Sequence, residues 1–217
     1  MPRQNRVTPS GDIVATPDRG TFMGNRGCLH DDGGRVRRPW QVRRWLVCVP
    51  EFRSRKRQVM RPGYYTELFF LDEATALAAG HRPCAECRRD RFDAFRRAWR
   101  TVHPQLGGPR LPTADVIDRR LHAERVGPDR SKRCFTAGLG DLPDGVFVRH
   151  PAWGDAAHLV RGDWLLPWSA GGYTGRLARP ADLEVAVLTP ESTVGVIRAG
   201  YAPDVHPSAS EPAGPAR

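Results

Sequence analysis

The chain of 217 residues is 40% hydrophobic and 27% charged, with a mean hydropathy of −0.52, which is chain and apolar content enough for one generous domain or two small ones. Collagen-like, coiled-coil and wholly disordered chains are excluded. The longest apolar runs, Trp45 to Val49 and Glu67 to Leu71, fall far short of the ~20 residues that span a bilayer.

The formal charge is +10, and it is polarised along the chain. Residues 1–62 carry 14 basic and 5 acidic side chains, 63–134 carry 14 and 10, and 135–217 carry 6 and 9. A basic leading half points to a polyanionic partner. The first residues lead into no apolar signal segment, so a cytoplasmic location is expected.

Residues 1–12 are rich in polar and turn-forming types and are expected to be flexible, as is a disordered tail over 204–217. Val42 to Val49, Gln58 to Met60 and Tyr64 to Leu71 read as a β-meander around the basic turn Arg53 to Arg57. Asp72 has N-cap chemistry for a short helix, Glu73 to Ala79, which Gly80 ends in a left-handed conformation. From Arg88 to about Val102, Phe92, Phe95, Trp99 and Val102 recur at helical intervals among arginines, the pattern of an amphipathic helix with one basic face.

Thr113 caps a further expected helix to about Val126, stopped by Gly127 and Pro128. The loop Asp129 to Gly140 reads as a seam. Beyond it, Val146 to Arg149, His158 to Arg161, Trp164 to Leu166 and Leu183 to Leu188 read as strands, and Ser192 to Ala199 as a last helix. The expected class is α+β: a zinc-stabilised β-meander with helices over 13–128, then a small β-rich unit over 129–203. In that unit Trp153, Trp164, Trp168 and Tyr173 read as core packing more than as an aromatic cleft.

Five cysteines in a chain with no export signal point to reduced thiols or metal ligands. Cys84 and Cys87 form a Cys-x-x-Cys turn between a helix stop and a helix start, the geometry of a zinc knuckle. A redox pair would open a helix after the central strand of a βαβ unit, which the pattern lacks. Tetrahedral zinc needs two more ligands, and Cys28 with either His30 or Cys48 are the candidates. Cys48 also reads as a small core residue, His30 as a turn histidine, and Cys134 as a bystander.

The residues from Phe69 to Cys87 run as a phenylalanine-containing strand, a Glu/Ala helix ending in Gly80, and His81-Arg82-Pro83-Cys84 leading to Cys87. This order resembles the second half of the metal-binding domain of the Ada DNA-repair family, closely over Phe69 to Cys87 and loosely over Thr21 to Trp99. The resemblance implies a four-ligand zinc site beside a DNA-facing basic surface. In that family one zinc thiolate also accepts a methyl group from a DNA phosphotriester. Here the family's upstream Cys-x-x-x-Cys pair is replaced by Cys28 alone ahead of the meander, the knuckle interior is Ala85-Glu86 where the family often has basic residues, and no Pro-Cys-His-Arg methyltransferase motif follows.

Arginine binds phosphate through a planar fork. Arg53, Arg55, Lys56 and Arg57 on the hairpin, with Arg82, Arg88, Arg89, Arg96 and Arg97 beside the knuckle, are therefore the expected nucleic-acid contacts. His122 and Glu124 together with the knuckle are also compatible with a zinc hydrolase or deaminase, although the motif order is inverted. Asp115, Asp118 and Glu124 are accounted for by ion pairing along a helix. The sequence thus leads to a zinc-containing, nucleic-acid-binding protein, DNA before RNA, related to repair. The alternatives are a zinc-dependent enzyme and a zinc-stapled interaction module.

Overall fold

The structure is a computed structural model and describes residues 1–54, 58–106 and 110–210. Its leading half contains β1 (Gln4–Val7), β2 (Ile13–Ala15), β3 (Phe22–Asn25), β4 (Leu46–Cys48), β5 (Leu68–Phe70), α1 (Glu73–Ala78), β6 (Arg82–Pro83), α2 (Arg89–Val102) and α3 (Ala114–Arg125). The rest contains β7 (Phe135–Gly138), β8 (Phe147–Arg149), β9 (His158–Arg161), β10 (Trp164–Ser169), β11 (Gly172–Tyr173), β12 (Leu177–Ala178), β13 (Glu184–Val187) and α4 (Glu191–Arg198). The α+β class expected from the sequence is what the chain forms, with two sheets and four α-helices among the described residues.

The first sheet runs β2-β1-β5-β3-β4-β6. Its order is not that of a plain meander, because β3 lies between β4 and β5 and pairs antiparallel with both. Two parallel pairings, β1 with β5 and β4 with β6, bring distant segments side by side. Gly24 in β3 is required by this crowding. A Cβ there would lie 2.0 Å from the Leu46 carbonyl oxygen and 2.8 Å from the Phe70 ring. Gln4 to Val7, inside the stretch expected to be flexible, is a paired strand with Val7 fully buried. Gln58 to Met60, expected as a strand, lies in a turn.

α1 lies between the two sheets. Ala76 and Ala79 pack with Val47, Leu68 and Phe70 of the first sheet, while Ala74 and Ala78 pack with Phe147, Leu159 and Leu166 of the second. Small side chains suit a helix contacted on both sides, and all six of its residues are buried. The cap is as the sequence requires: Asp72 Oδ1 accepts from the Thr75 amide at 2.8 Å, and Gly80 stops the helix at φ +93°.

The second sheet is antiparallel, β11-β10-β9-β8-β13-β7 with β12 on β10. Its strands alternate between two cores. Val148, Val160, Leu165 and Val185 meet Phe95, Trp99, Ile117 and Leu121 of α2 and α3, and Phe147, Leu159 and Leu166 face α1. The largest core therefore draws on residues from both sides of position 128. Trp153 and Trp168 pack against these cores, while Trp164 is exposed beside Arg176.

The segment after α4 is held down as far as residue 210. Glu73 Oε1 accepts from Arg88 and from the Tyr201 hydroxyl, and its Oε2 accepts from Arg91 and from the Asp204 amide. Asp72 Oδ2 accepts from the Tyr173 hydroxyl at 2.7 Å and the His206 amide at 3.0 Å. Residues 204–210 are thus strapped to the N-terminus of α1, and the remainder of the expected tail lies outside the described residues.

Candidate metal centre

Cys48 ends β4. Cys84 follows β6, and the parallel pairing of these strands, with Leu46 opposite Arg82 and Val47 opposite Pro83, sets the two cysteines side by side. The Cys84 amide donates to the Val47 carbonyl at 2.9 Å, extending the ladder to the knuckle. Cys87 returns on the turn that leads into α2. The three sulfurs lie within 4.8 Å of one another. Tetrahedral zinc with sulfur at ~2.3 Å places neighbouring sulfurs about 3.8 Å apart, inside that limit, so the three sulfurs suit one shared ion with a fourth position left over.

Backbone amides aim at the sulfurs. The Glu86 amide lies 3.4 Å from Cys84 Sγ, the Cys87 amide also reaches Cys84, and the Val49 amide reaches Cys87. Hydrogen bonds from the Cys48 and Cys87 thiols, with these amides, hold Cys84 well below the usual thiol range. Contact with Cys84 and Cys87, together with burial, pushes Cys48 up. At Cys87 the hydrogen bond from Cys48 pulls down, but Cys84 and burial outweigh it and the thiol is raised. Without a cation, therefore, the cluster favours the thiolate at Cys84 over those at Cys48 and Cys87, and a divalent metal would displace the protons that remain.

Cys28 and His30 are not in this group. Cys28 Sγ faces the His30 carbonyl at 3.7 Å, and its amide is held by Gln41. His30 Nδ1 meets Thr66 Oγ1 at 2.6 Å and Nε2 meets the Arg61 carbonyl at 3.3 Å. Both ring nitrogens are thus committed to the loop that His30 anchors. Among the described residues, no further Cys, His, Asp or Glu joins Cys48, Cys84 and Cys87. Cys134 packs beside the core around Phe147.

The expected phosphate ligands divide. Arg82 is buried and forks onto both carboxylate oxygens of Asp118 at 2.8 Å. Arg88 is buried between Glu73 and Asp204. Arg96 is spent on the Leu111 and Pro112 carbonyls and on Asp93. Arg82 and Arg88 are thus buried in ion pairs, and Arg96 is half-buried with its guanidinium committed to Asp93 and two carbonyls. Arg53, Arg89 and Arg97 are exposed. Arg55, Lys56 and Arg57 lie outside the described residues.

Glu124, the candidate base, belongs to another network. It accepts from Arg120 at 2.6 Å and from the Ser192 hydroxyl and amide at 2.6 and 2.9 Å, so it caps α4. His122 packs edge-on against Trp40 and is lowered to about 4 by burial and by Arg125 and Arg43. No helix of the described residues is long and apolar enough to cross a membrane. Comparisons with family models, curated proteins and solved structures give no match.

Proposed function

We propose that the chain is a zinc protein that binds nucleic acid, DNA before RNA, in work related to repair. The observation that carries the reading is the convergence of Cys48, Cys84 and Cys87 under backbone amides, immediately ahead of α2. Thiolates select zinc over magnesium or calcium, and a Cys-x-x-Cys knuckle with amide-to-sulfur hydrogen bonds suits a closed-shell ion. Cys48, Cys84 and Cys87 would hold the metal. Zinc would supply charge neutralisation of the sulfurs and would lock β4, β6 and the start of α2 together.

The nucleic-acid part rests on charge placement and on the resemblance to the Ada metal-binding domain over Phe69 to Cys87. Arg89 is exposed at the start of α2 beside the knuckle, Arg97 and Arg100 are exposed farther along that helix, and Arg53 is exposed on the loop between β4 and β5. Phosphate contacts release counterions, so oligonucleotide affinity should fall steeply with salt. Titration of a labelled duplex at several salt concentrations tests this, with Arg89→Ala and Arg97→Ala each reducing the slope by about one unit. A salt-independent or absent interaction contradicts it.

The count of three protein ligands favours one second reading. An open fourth position is what catalytic zinc keeps for water. Glu124, tied to Ser192 and Arg120, is not available as its base, so a hydrolytic enzyme would need a different proton acceptor.

A further inference from the structure

Away from the cysteines, between the first sheet and α3, lies a partly enclosed cavity of about 120 Å³. Arg26, Arg125 and Lys132 line it, with Trp40 and Trp45 as walls and Arg130 at the rim. Arg26 and Arg125 are each 1% exposed, and their guanidiniums sandwich the Trp45 ring at 4.2 and 3.9 Å. Arg130 covers Trp40 at 4.7 Å.

Unlike Arg82 and Arg88, these cations face no carboxylate across a hydrogen bond among the described residues. Arg26 donates to His81 Nε2 and to the carbonyls of Gly11 and Pro39, and its Nη2 has no partner. Arg125 donates to the carbonyls of Gly80 and Arg43, and its Nε has no partner. Lys132 Nζ donates to the Ala78 carbonyl. The buried Trp40 indole N–H is a further orphan donor. Asp12, exposed at the mouth, is the single acidic residue among the lining.

Buried charge without an ion pair is costly, and like charges gathered around one cavity add to that cost. Burial lowers Arg26 to about 9 against the pull of Asp12, and burial, with Arg26 and Arg125 nearby, lowers Lys132 to about 7 against Cys134 and Asp12. Lys132 is one of two lysines in the chain, the other being Lys56. An anion in the cavity would remove this cost and occupy the free donors. The volume is that of about four waters at their ~30 Å³ share of the liquid, enough for one five-atom oxyanion. Four basic groups against one acid call for a dianion, and donors arriving from several directions call for a tetrahedral one.

We infer that this cavity is a phosphate-group site, with Arg26, Arg125 and Lys132 as its cationic lining, Trp40 Nε1 as a neutral donor and Arg130 as its rim. The shared chemistry is a dianionic phosphate, borne either by the free ion or by a phosphomonoester end. No cysteine lines it, so it stands independently of the metal reading.

Calorimetric titration at constant ionic strength tests it, using inorganic phosphate, a 5′-phosphorylated dinucleotide and its 5′-hydroxyl counterpart. Wild type should bind phosphate saturably and be thermally stabilised by it beyond chloride. Lys132→Met, chosen because it relieves repulsion and keeps the fold, should bind about tenfold more weakly or worse, as loss of a charge-assisted contact requires. Arg130→Ala should weaken binding as well, and Arg149→Ala, exposed on β8, should not. Tighter binding of the phosphorylated dinucleotide than of free phosphate assigns the site to a phosphomonoester end, and the reverse assigns it to the ion. Absence of saturable binding of both probes overturns the proposal, and so does undiminished binding by a Lys132→Met variant with wild-type circular dichroism.

Discussion

Two sets of buried or half-buried cations sit a short way apart in this molecule and are handled oppositely. Arg82 and Arg88, flanking the cysteine knuckle, are neutralised by Asp118, Glu73 and Asp204. Arg26, Arg125 and Lys132, around the cavity, have carbonyls and aromatic faces but no ion pair among the described residues. The first set fixes a geometry: it ties β6 to α3 and α1 to the segment around Asp204. The second leaves charge and donors unspent around a cavity, which is how a protein holds a place for a ligand at the expense of its own stability. A buried arginine is therefore to be read by its partner, not by its charge.

The comparison breaks most severely at the paired set. Asp118→Ala leaves the Arg82 guanidinium buried and alone, and we expect about 3–5 kcal/mol lower stability in urea unfolding. Glu73→Gln, which retains the shape but not the charge facing Arg88 and Arg91, should cost somewhat less, about 2–4 kcal/mol. An unchanged urea midpoint in either variant contradicts the assignment of these arginines to the fold.

The unpaired set should respond with the opposite sign. In phosphate-free buffer Lys132→Met should be more stable than wild type by about 1–4 kcal/mol. The pH dependence gives a sharper form. Lys132 is lowered by burial from 10.5 to about 7, so between those values the unfolded chain holds a proton that the folded chain lacks. Stability then rises with pH across that window. The Lys132→Met variant should lack this rise, and parallel pH profiles for the two proteins would show Lys132 to be unperturbed.

The smallest effect lies on the acid side. His122 is lowered to about 4, mainly by burial. It stays neutral in the fold while the unfolded chain takes up a proton below about 6.5, so this contribution to stability is lost as pH falls from about 6.5 to 4. A His122→Phe variant, packing against Trp40 in the same way, should show a shallower acid decline.

Local chemistry made much of the fold legible. The Asp72 cap, the Gly80 stop, the Phe92-Phe95-Trp99 period and the Thr113 cap each place a helix within a residue or two of where it lies. What the sequence conceals is non-local pairing. Cys48, in the sequence both a candidate for the fourth place and a small core residue beside Val47, is brought to the knuckle by the parallel pairing of β4 and β6. Cys28 and His30 look like a ligand pair by spacing, but Thr66 and the Arg61 carbonyl take both nitrogens of His30. Likewise nothing near Arg82 shows that Asp118 will meet it, so a structural arginine has the appearance of a phosphate ligand.

The most direct measurement is bound zinc per chain in as-purified wild type and in Cys28→Ser, Cys48→Ser and Cys84→Ser variants matched by circular dichroism. The account predicts about one zinc per wild-type chain, full occupancy in Cys28→Ser, and loss in Cys48→Ser and Cys84→Ser. Zinc retained by a folded Cys48→Ser chain, zinc lost from a folded Cys28→Ser chain, or none in wild type would contradict the three-cysteine centre.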